Sequence, residues 1–130
     1  MGRVETDLVR GYYAAWSRGD LEGMLARADP DIDMQPTLGV LYDHSTYRGH
    51  EGVRAWFDEV AGRWQEFDPA VEEVHEDDGC VIAFICLSAK RNERRTAAKI
   101  AVEHEIRDGR IATLIGHDYW EAREELGLPG

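Results

Sequence analysis

The sequence predicts an α+β domain in which helices come first and an antiparallel sheet follows. Apolar residues recur at helical spacing as far as Trp64, whereas four apolar-rich runs joined by short, turn-like segments follow Phe67. Because helices and strands are segregated along the chain, this order favours α+β over alternating βαβ units. The length of 130 residues predicts a single domain, residues 1–130, with one sizeable core.

Three helices are predicted before the sheet. The first covers residues 4–17 and stops at Gly19. Asp20 is the predicted N-cap of a second, shorter helix, which Asp29-Pro30 ends. The third helix has the clearest apolar stripe in the chain, formed by Val53, Trp56, Phe57, Val60, Ala61 and Trp64.

Five strands are predicted. A short strand at residues 31–35 alternates apolar and polar residues, and residues 36–49 have the mixed pattern of a long loop or lid. The other four strands are predicted at residues 70–76, 80–89, 96–107 and 110–120. Their short connections make them antiparallel neighbours. Residues 80–87 are apolar at both odd-numbered and even-numbered positions, which predicts a central strand covered on both faces.

Charge and composition exclude several classes of function. The net charge of −11 repels phosphate backbones and anionic lipid surfaces, so neither nucleic acid nor a membrane is an expected partner. No stretch has the length of a signal peptide or a membrane span, and we expect a cytoplasmic protein. Cys80 and Cys86 fall in one predicted strand about 20 Å apart, beyond disulfide reach, and are expected to be packing residues.

Motifs for metals and cofactors are missing from the sequence. The five histidines lack spacings such as HxxxH or HExxH, so no metal site is expected. There is no glycine-rich phosphate loop, no GxSxG elbow and no CxxC pair. We therefore expect a protein that works without a cofactor.

The last predicted hairpin can be built with two different registers. A two-residue Asp108-Gly109 turn pairs Arg107 with Arg110, whereas a turn closed by a bulge at Gly109 pairs Ile106 with Arg110. A slip of one residue turns a whole set of side chains to the other face of the sheet, so the turn decides which residues share the pocket.

The bulged register is preferred because it collects the apolar residues of both strands on one face, together with His104 and Asp118. The other register places Glu103 and Glu105 beside Asp118 with little to neutralise them. Apolar walls raise the pKa of a carboxyl group and a nearby imidazolium lowers it, so such a pair can exchange protons near neutral pH. The structural alternative is a hydrogen-bonded core histidine and a carboxylate in water at the strand end.

Three segments carry a resemblance to a known family. In order, they are GYYAAWSRGDLEGMLARADPDIDMQP, YRGHEGVRAWFDEV and IRDGRIATLIGHDYW. Together they resemble the SnoaL-like branch of the nuclear transport factor 2-like superfamily, whose members include polyketide cyclases, ketosteroid isomerases and scytalone dehydratase. The resemblance implies a cone-shaped, curved sheet, mixed or antiparallel, wrapped over three N-terminal helices, and commonly a dimer.

The resemblance also implies a catalytic pair. In SnoaL-type cyclases an acid/base Asp on the last strand is paired with a His one strand earlier, and Asp118 and His104 look like that pair. Asp118 lies ten residues after Asp108, farther from the DG turn than in the cyclase-like pattern. The Asp-Arg-Asp arrangement of the epoxide hydrolases and the Tyr and Asp oxyanion pair of the isomerases have no clear counterpart.

Aromatic residues with a polar tip suit planar, partly oxygenated ligands. The residues expected to line a ligand pocket are Tyr12, Trp16, Tyr47, Trp56, Leu114 and Trp120. Phe57 and Trp64 are expected to be ordinary core residues.

The leading hypothesis is a cofactor-free enzyme of cyclase, isomerase or dehydratase type. It would act by proton transfer on a hydrophobic carbonyl or polycyclic compound, with Asp118 as acid/base and His104 tuning it. The alternative is a non-catalytic domain that binds a small hydrophobic ligand or mainly dimerises. A homodimer through the sheet is expected, because the last strand would leave an apolar patch on the outer face unless residues 121–130 cover it. The patch would consist of Ile111, Thr113, Ile115 and Tyr119, beside the apolar run 81–87.

Overall fold

A computed structural model describes residues 2–36 and 46–129 of the chain. Its helices are α1 (Gly2–Ser17), α2 (Leu21–Arg27), α3 (Gly49–Arg63) and α4 (Tyr119–Glu125). Its strands are β1 (Ala28–Gln35), β2 (Tyr47–Arg48), β3 (Glu66–Asp77), β4 (Cys80–Arg91), β5 (Arg94–Arg107) and β6 (Arg110–Asp118). The predicted order, helices first and a hairpin-connected sheet afterwards, is confirmed for the described residues, with α4 as an addition at the end.

The six strands form one curved, unclosed sheet in the order β2-β1-β6-β5-β4-β3. Strand β1 pairs with β6 in parallel, and all other pairs are antiparallel. The sheet is therefore mixed, as the family resemblance implies. Helices α1, α2 and α3 pack on the concave face, where they enclose most of the core.

Helix α2 begins where the sequence predicts and ends at Arg27, one residue early. The Asp20 side chain accepts a hydrogen bond from the Gly23 backbone N–H at 2.9 Å, which confirms the predicted N-cap. Strand β1 starts at Ala28, so Asp29 and Pro30 lie inside a strand and the prediction that they end α2 is wrong. Pro30 is tolerated because its pairing with β6 is irregular between Ala28 and Asp33, where a missing N–H breaks no ladder bond.

The region predicted as a long loop at residues 36–49 is only partly described. Residues 37–45 of that loop lie outside the described residues. Its last three residues are regular, because Tyr47 and Arg48 form β2 and Gly49 opens α3. The prediction of loop there is wrong, since two residues of alternating burial are too short a pattern to recognise as a strand.

The apolar stripe of α3 and the two-sided character of β4 are both confirmed. Val53, Trp56 and Val60 are buried against the concave face, although Ala61 is exposed. In β4, Val81 and Ile85 belong to the main core, whereas Phe84 lies in a second cluster on the convex face.

The convex face is covered by the end of the chain. Residues 119 and 120, predicted as strand, begin helix α4 instead. Tyr119 and Ala122 of α4 pack on Phe84 and Ala101, and the Arg123 guanidinium carbon lies 5.0 Å from the Phe84 ring centroid. The prediction of an open apolar patch is therefore wrong, because Ile111 is buried in the main core and Tyr119 belongs to α4, which covers Phe84 within one chain. The homodimer remains a prediction, and the apolar patch no longer supports it.

No helix among the described residues is long and apolar enough to span a bilayer.

Candidate functional site

The turn between β5 and β6 fixes the faces of the last hairpin. Asp108 and Gly109 both have left-handed backbone angles, with φ of 52° and 75°, and Arg107 pairs with Arg110. This is the two-residue turn of type I′, so the preferred bulge at Gly109 is wrong. Aspartate tolerates the left-handed conformation better than most residues, which is why the tight turn forms here.

A bulge does occur, but it lies inside β6. Ile106 pairs with Ile111 and Glu105 pairs with Thr113, so the extra residue of the bulge is Ala112. The insertion restores the face assignment expected from a bulged turn. Beyond it, His104 lies opposite Leu114, and four paired positions further along Ile100 lies opposite Asp118.

His104 is a fully buried member of the core. Its Nδ1 lies 2.9 Å from the Val81 carbonyl oxygen, and its Nε2 lies 2.8 Å from the Tyr13 hydroxyl. A carbonyl oxygen can only accept, so Nδ1 carries the proton and the Tyr13 hydroxyl donates to Nε2. Burial lowers the pKa of His104 to about 4, partly opposed by the Val81 hydrogen bond. The imidazole is therefore neutral with a fixed tautomer at pH 7.

His104 and Asp118 do not form the expected contact. Asp118 is exposed and lies opposite Ile100, four residues along β5 from His104, which is about 13 Å. One oxygen of its carboxylate accepts the Glu121 backbone N–H at 2.9 Å and caps α4. The two residues share a sheet face, but the register separates them by four strand positions.

A small cavity lies between the helices and the concave face. Its volume is about 20 Å³, and it is lined by Tyr12, Tyr13, Trp16, Met34, Pro36, Trp56, Ile85, Leu87, Ile100, Val102 and Leu114. That volume holds about one water or one atom of a ligand. The Tyr12 hydroxyl is fully buried and has no hydrogen-bond partner among the described residues, and burial raises its pKa.

An open cleft of about 1110 Å³ adjoins this inner cavity. Pro36, Leu87 and Ile100 line both spaces, so they belong to one continuous depression in the concave face. The other lining residues used below are Trp64, Phe67, Ala89, Arg91, Arg94, Thr96, Ala98, Lys99 and Asp118. The cleft is apolar toward the inner cavity and charged toward its outer end.

Four of the six predicted lining residues reach the inner cavity, and two do not. The four are Tyr12, Trp16, Trp56 and Leu114. Tyr47 is buried beside them, with its ring centroid 5.4 Å from that of Trp56 and its hydroxyl bonded to Glu59. Trp120 is 57% exposed, because β6 ends at Asp118 and α4 carries Trp120 away from the concave face.

Sequence reasoning missed two features of the site. Tyr13 is buried and hydrogen-bonded to His104. It was not predicted, because the pattern of an amphipathic helix buries only one face and does not place both Tyr12 and its neighbour Tyr13 inside. Trp64 packs against the main core, as the sequence predicts, but it also lines the outer cleft. Among residues 2–36 and 46–129, no group of three or more potential ligand side chains could hold a metal ion.

One family model matches the chain, and solved structures share its fold. The family model for the SnoaL-like domain matches residues 9–114. A search of curated proteins found no match to the chain.

Similar solved structures cover nearly the whole chain. TerC, co-crystallised with polyporic acid, has a TM-score of 0.79 at 21% identity and covers 95% of this chain and 97% of its own. An NTF2-like protein from Burkholderia pseudomallei has a TM-score of 0.77 at 26% identity, covering 93% and 95%. A putative polyketide cyclase from Xanthomonas campestris has a TM-score of 0.77 at 18% identity, covering 92% and 93%. Likeness at these identities establishes a shared fold.

Proposed function

We propose that this chain, which belongs to the SnoaL-like domain family, binds a small, mostly apolar carbonyl compound and catalyses proton transfer on it without a cofactor. The observation that carries the proposal is the Tyr12 hydroxyl, fully buried and unpartnered at the end of an open cleft. A buried polar group without a partner costs about 1–3 kcal/mol, and a bound carbonyl oxygen would remove that cost.

Each residue of the inner cavity has a distinct role in the proposal. The Tyr12 hydroxyl donates to the carbonyl oxygen of the ligand and stabilises negative charge that develops there. Tyr13 already donates to His104, so its oxygen can only accept from the ligand. His104 is a positioning residue, because the Val81 carbonyl and Tyr13 occupy both of its ring nitrogens.

Asp118 is the proposed base. It lines the outer cleft on the same face as Ile100, and only one of its carboxylate oxygens is occupied by a hydrogen bond within the described residues. The other oxygen can take a proton from a carbon that is conjugated with the carbonyl held by Tyr12. The electron pair left on carbon then moves onto the carbonyl oxygen, and Asp118 returns the proton at another carbon or assists loss of a leaving group.

A second candidate is a domain that binds such a ligand without turnover. The separation of His104 from Asp118 favours it, because the neutral, fully hydrogen-bonded imidazole is not poised to exchange a proton with the carboxylate. TerC was crystallised with an organic acid, which supports a small organic ligand under both candidates.

Deuterium exchange into 2-tetralone tests the proposal without knowledge of the natural substrate. The ketone has acidic C–H bonds beside its carbonyl, and proton NMR in D₂O reports their loss. The wild-type protein should accelerate exchange over buffer. Asp118→Asn, which retains a good helix cap, should lower the rate by about 100-fold or more, and Tyr12→Phe should lower it by about 100-fold. Asp77→Asn, at an exposed carboxylate of β3, is the matched control.

The outcomes separate the two candidates. Saturable quenching of tryptophan fluorescence by 2-tetralone without accelerated exchange would leave only the binding function. If 2-tetralone neither binds nor exchanges, both candidate functions are rejected. If the Asp118→Asn variant exchanges deuterium at the wild-type rate, this carboxylate is not part of the mechanism.

A further inference from the structure

The concave face changes character along the β4–β5 hairpin. Inward-facing residues of β4 run from Leu87 through Ala89 to Arg91. Those of β5 run from Ile100 through Ala98 and Thr96 to Arg94. The face is thus aliphatic beside the inner cavity, lined by small residues in the middle, and cationic at the outer end. This gradient fits a ligand with an apolar body and an anionic end.

Arg91 and Arg94 lie directly opposite each other, joined by the two-residue turn Asn92-Glu93. Like charges directly opposite on paired strands are destabilising. Neither arginine has a carboxylate within salt-bridge distance among the described residues. Glu59 lines a shallow surface groove with Arg91, but its carboxylate accepts the Tyr47 hydroxyl.

The other cations of the hairpin are all paired. Lys90 and Arg95 lie 3.8 Å and 3.1 Å from Glu66, and the Lys99 amino group lies 3.9 Å from Glu72. Carboxylates outnumber cations in this chain, whose net charge is −11. Arg91 and Arg94 therefore form a cationic site without a carboxylate partner among the described residues, at the end of an apolar cleft in a protein that is acidic overall.

We propose that Arg91 and Arg94 bind the anionic end of the ligand, a carboxylate or an ionised phenol. This inference rests on the proposed function and adds the substrate class to it. A guanidinium matches a carboxylate with two parallel hydrogen bonds, and a second guanidinium relieves its own repulsion by sharing the anion. The apolar body of the ligand lies over Ala89 and Ala98, whose small side chains leave room for it.

The length of the cleft limits the shape of the substrate. Arg94 and Ile100 are six residues apart on β5, which is about 20 Å along the strand. Both arginines line the cleft and Tyr12 lines the inner cavity beside Ile100, so a molecule that reaches all three is elongated. The substrate is therefore an extended aromatic or polycyclic acid whose reacting carbonyl lies at the end opposite to its anionic group.

A pair of probes that differ only in charge tests this inference. 2-Naphthoate and neutral 2-naphthamide have the same ring system, and quenching of tryptophan fluorescence reports both, because Trp64 lines the cleft. The naphthoate should bind about tenfold more tightly, and only its affinity should fall as NaCl is raised from 0.05 to 0.5 M. Arg91→Gln and Arg94→Gln should each remove most of the preference. Arg95→Gln, one position along and paired with Glu66, should retain it.

Failure of this inference is distinguishable from failure of the proposed function. Equal affinities for the two probes would leave the ligand-binding function intact and overturn the anion site. A preference for naphthoate that survives both Gln variants would overturn the assignment to Arg91 and Arg94. Absence of binding by both probes at millimolar concentration would overturn the anion site, and the ligand-binding function with it if 2-tetralone also fails to bind.

Discussion

His104 should make the stability of the protein depend on pH in mildly acidic solution. Burial lowers its pKa from 6.5 to about 4. Between these two values the unfolded chain binds a proton and the native protein does not. The stabilising contribution of the neutral imidazole is therefore complete above pH 6.5 and is lost as the pH falls toward 4.

The size of the effect follows from the two pKa values. One pKa unit corresponds to about 1.4 kcal/mol, so the full loss is about 3 kcal/mol. Between pH 7 and pH 5 the expected loss is about 2 kcal/mol. A loss of this size is a large share of the free energy of unfolding of a typical domain, which is roughly 5–15 kcal/mol.

Urea unfolding followed by tryptophan fluorescence at pH 7, 6 and 5 measures this dependence. His104→Gln removes the titrating ring and keeps an acceptor for Tyr13, so its unfolding free energy should change by about 2 kcal/mol less than that of the wild type over this range. Carboxyl groups such as Asp20 and Glu73, whose pKa values hydrogen bonds lower, are present in both proteins and cancel in the difference. His117→Gln controls for loss of an exposed histidine. Parallel pH curves for the wild type and His104→Gln would refute the neutral, buried imidazole.

Two further substitutions test how the helices are held. Asp20→Ala should lower the free energy of unfolding by about 1 kcal/mol through loss of the α2 cap. Asp7→Ala, on the exposed side of α1, is the control and should change it little. Equal urea midpoints for the two variants would contradict the role of Asp20 as a cap. Arg123→Met should lower the urea midpoint, because it removes the ion pair with Glu73, and it should increase binding of a hydrophobic dye as α4 loosens from Phe84. Unchanged dye binding would show that α4 is held by its apolar contacts alone.

Local patterns predicted most of the fold. The helical stripe of α3, the Asp20 cap and the two-sided burial of β4 all follow from spacing within one element, and the structure confirms them. Helix α4 was missed because Tyr119 and Trp120 continue the apolar pattern of the preceding strand. The spacing Asp118-x-x-Glu121 is typical of a helix start, and it was the available signal.

The distances between site residues were harder to predict than the face of the sheet on which each residue lies. His104 and Asp118 lie on one face as predicted, but this is due to the bulge at Ala112 and not to the predicted bulge at Gly109. Parity also does not measure distance along the strand. The partner of His104 comes from α1, and no pattern within β5 or β6 points to Tyr13. Such a contact depends on how a helix rotates against a sheet, which is decided by packing of the whole core.

The last strand does not tolerate changes in chain length beyond the bulge at Ala112. Deleting one residue between Leu114 and Asp118 would leave the Asp108-Gly109 turn and the bulge intact and send every later side chain of β6 to the opposite face. Asp118 would then leave the cleft. An extra residue in the turn itself would be absorbed at the surface. Homologous chains that keep this cleft should therefore vary in length at the hairpin tip and keep a fixed count of residues from the bulge to the aspartate.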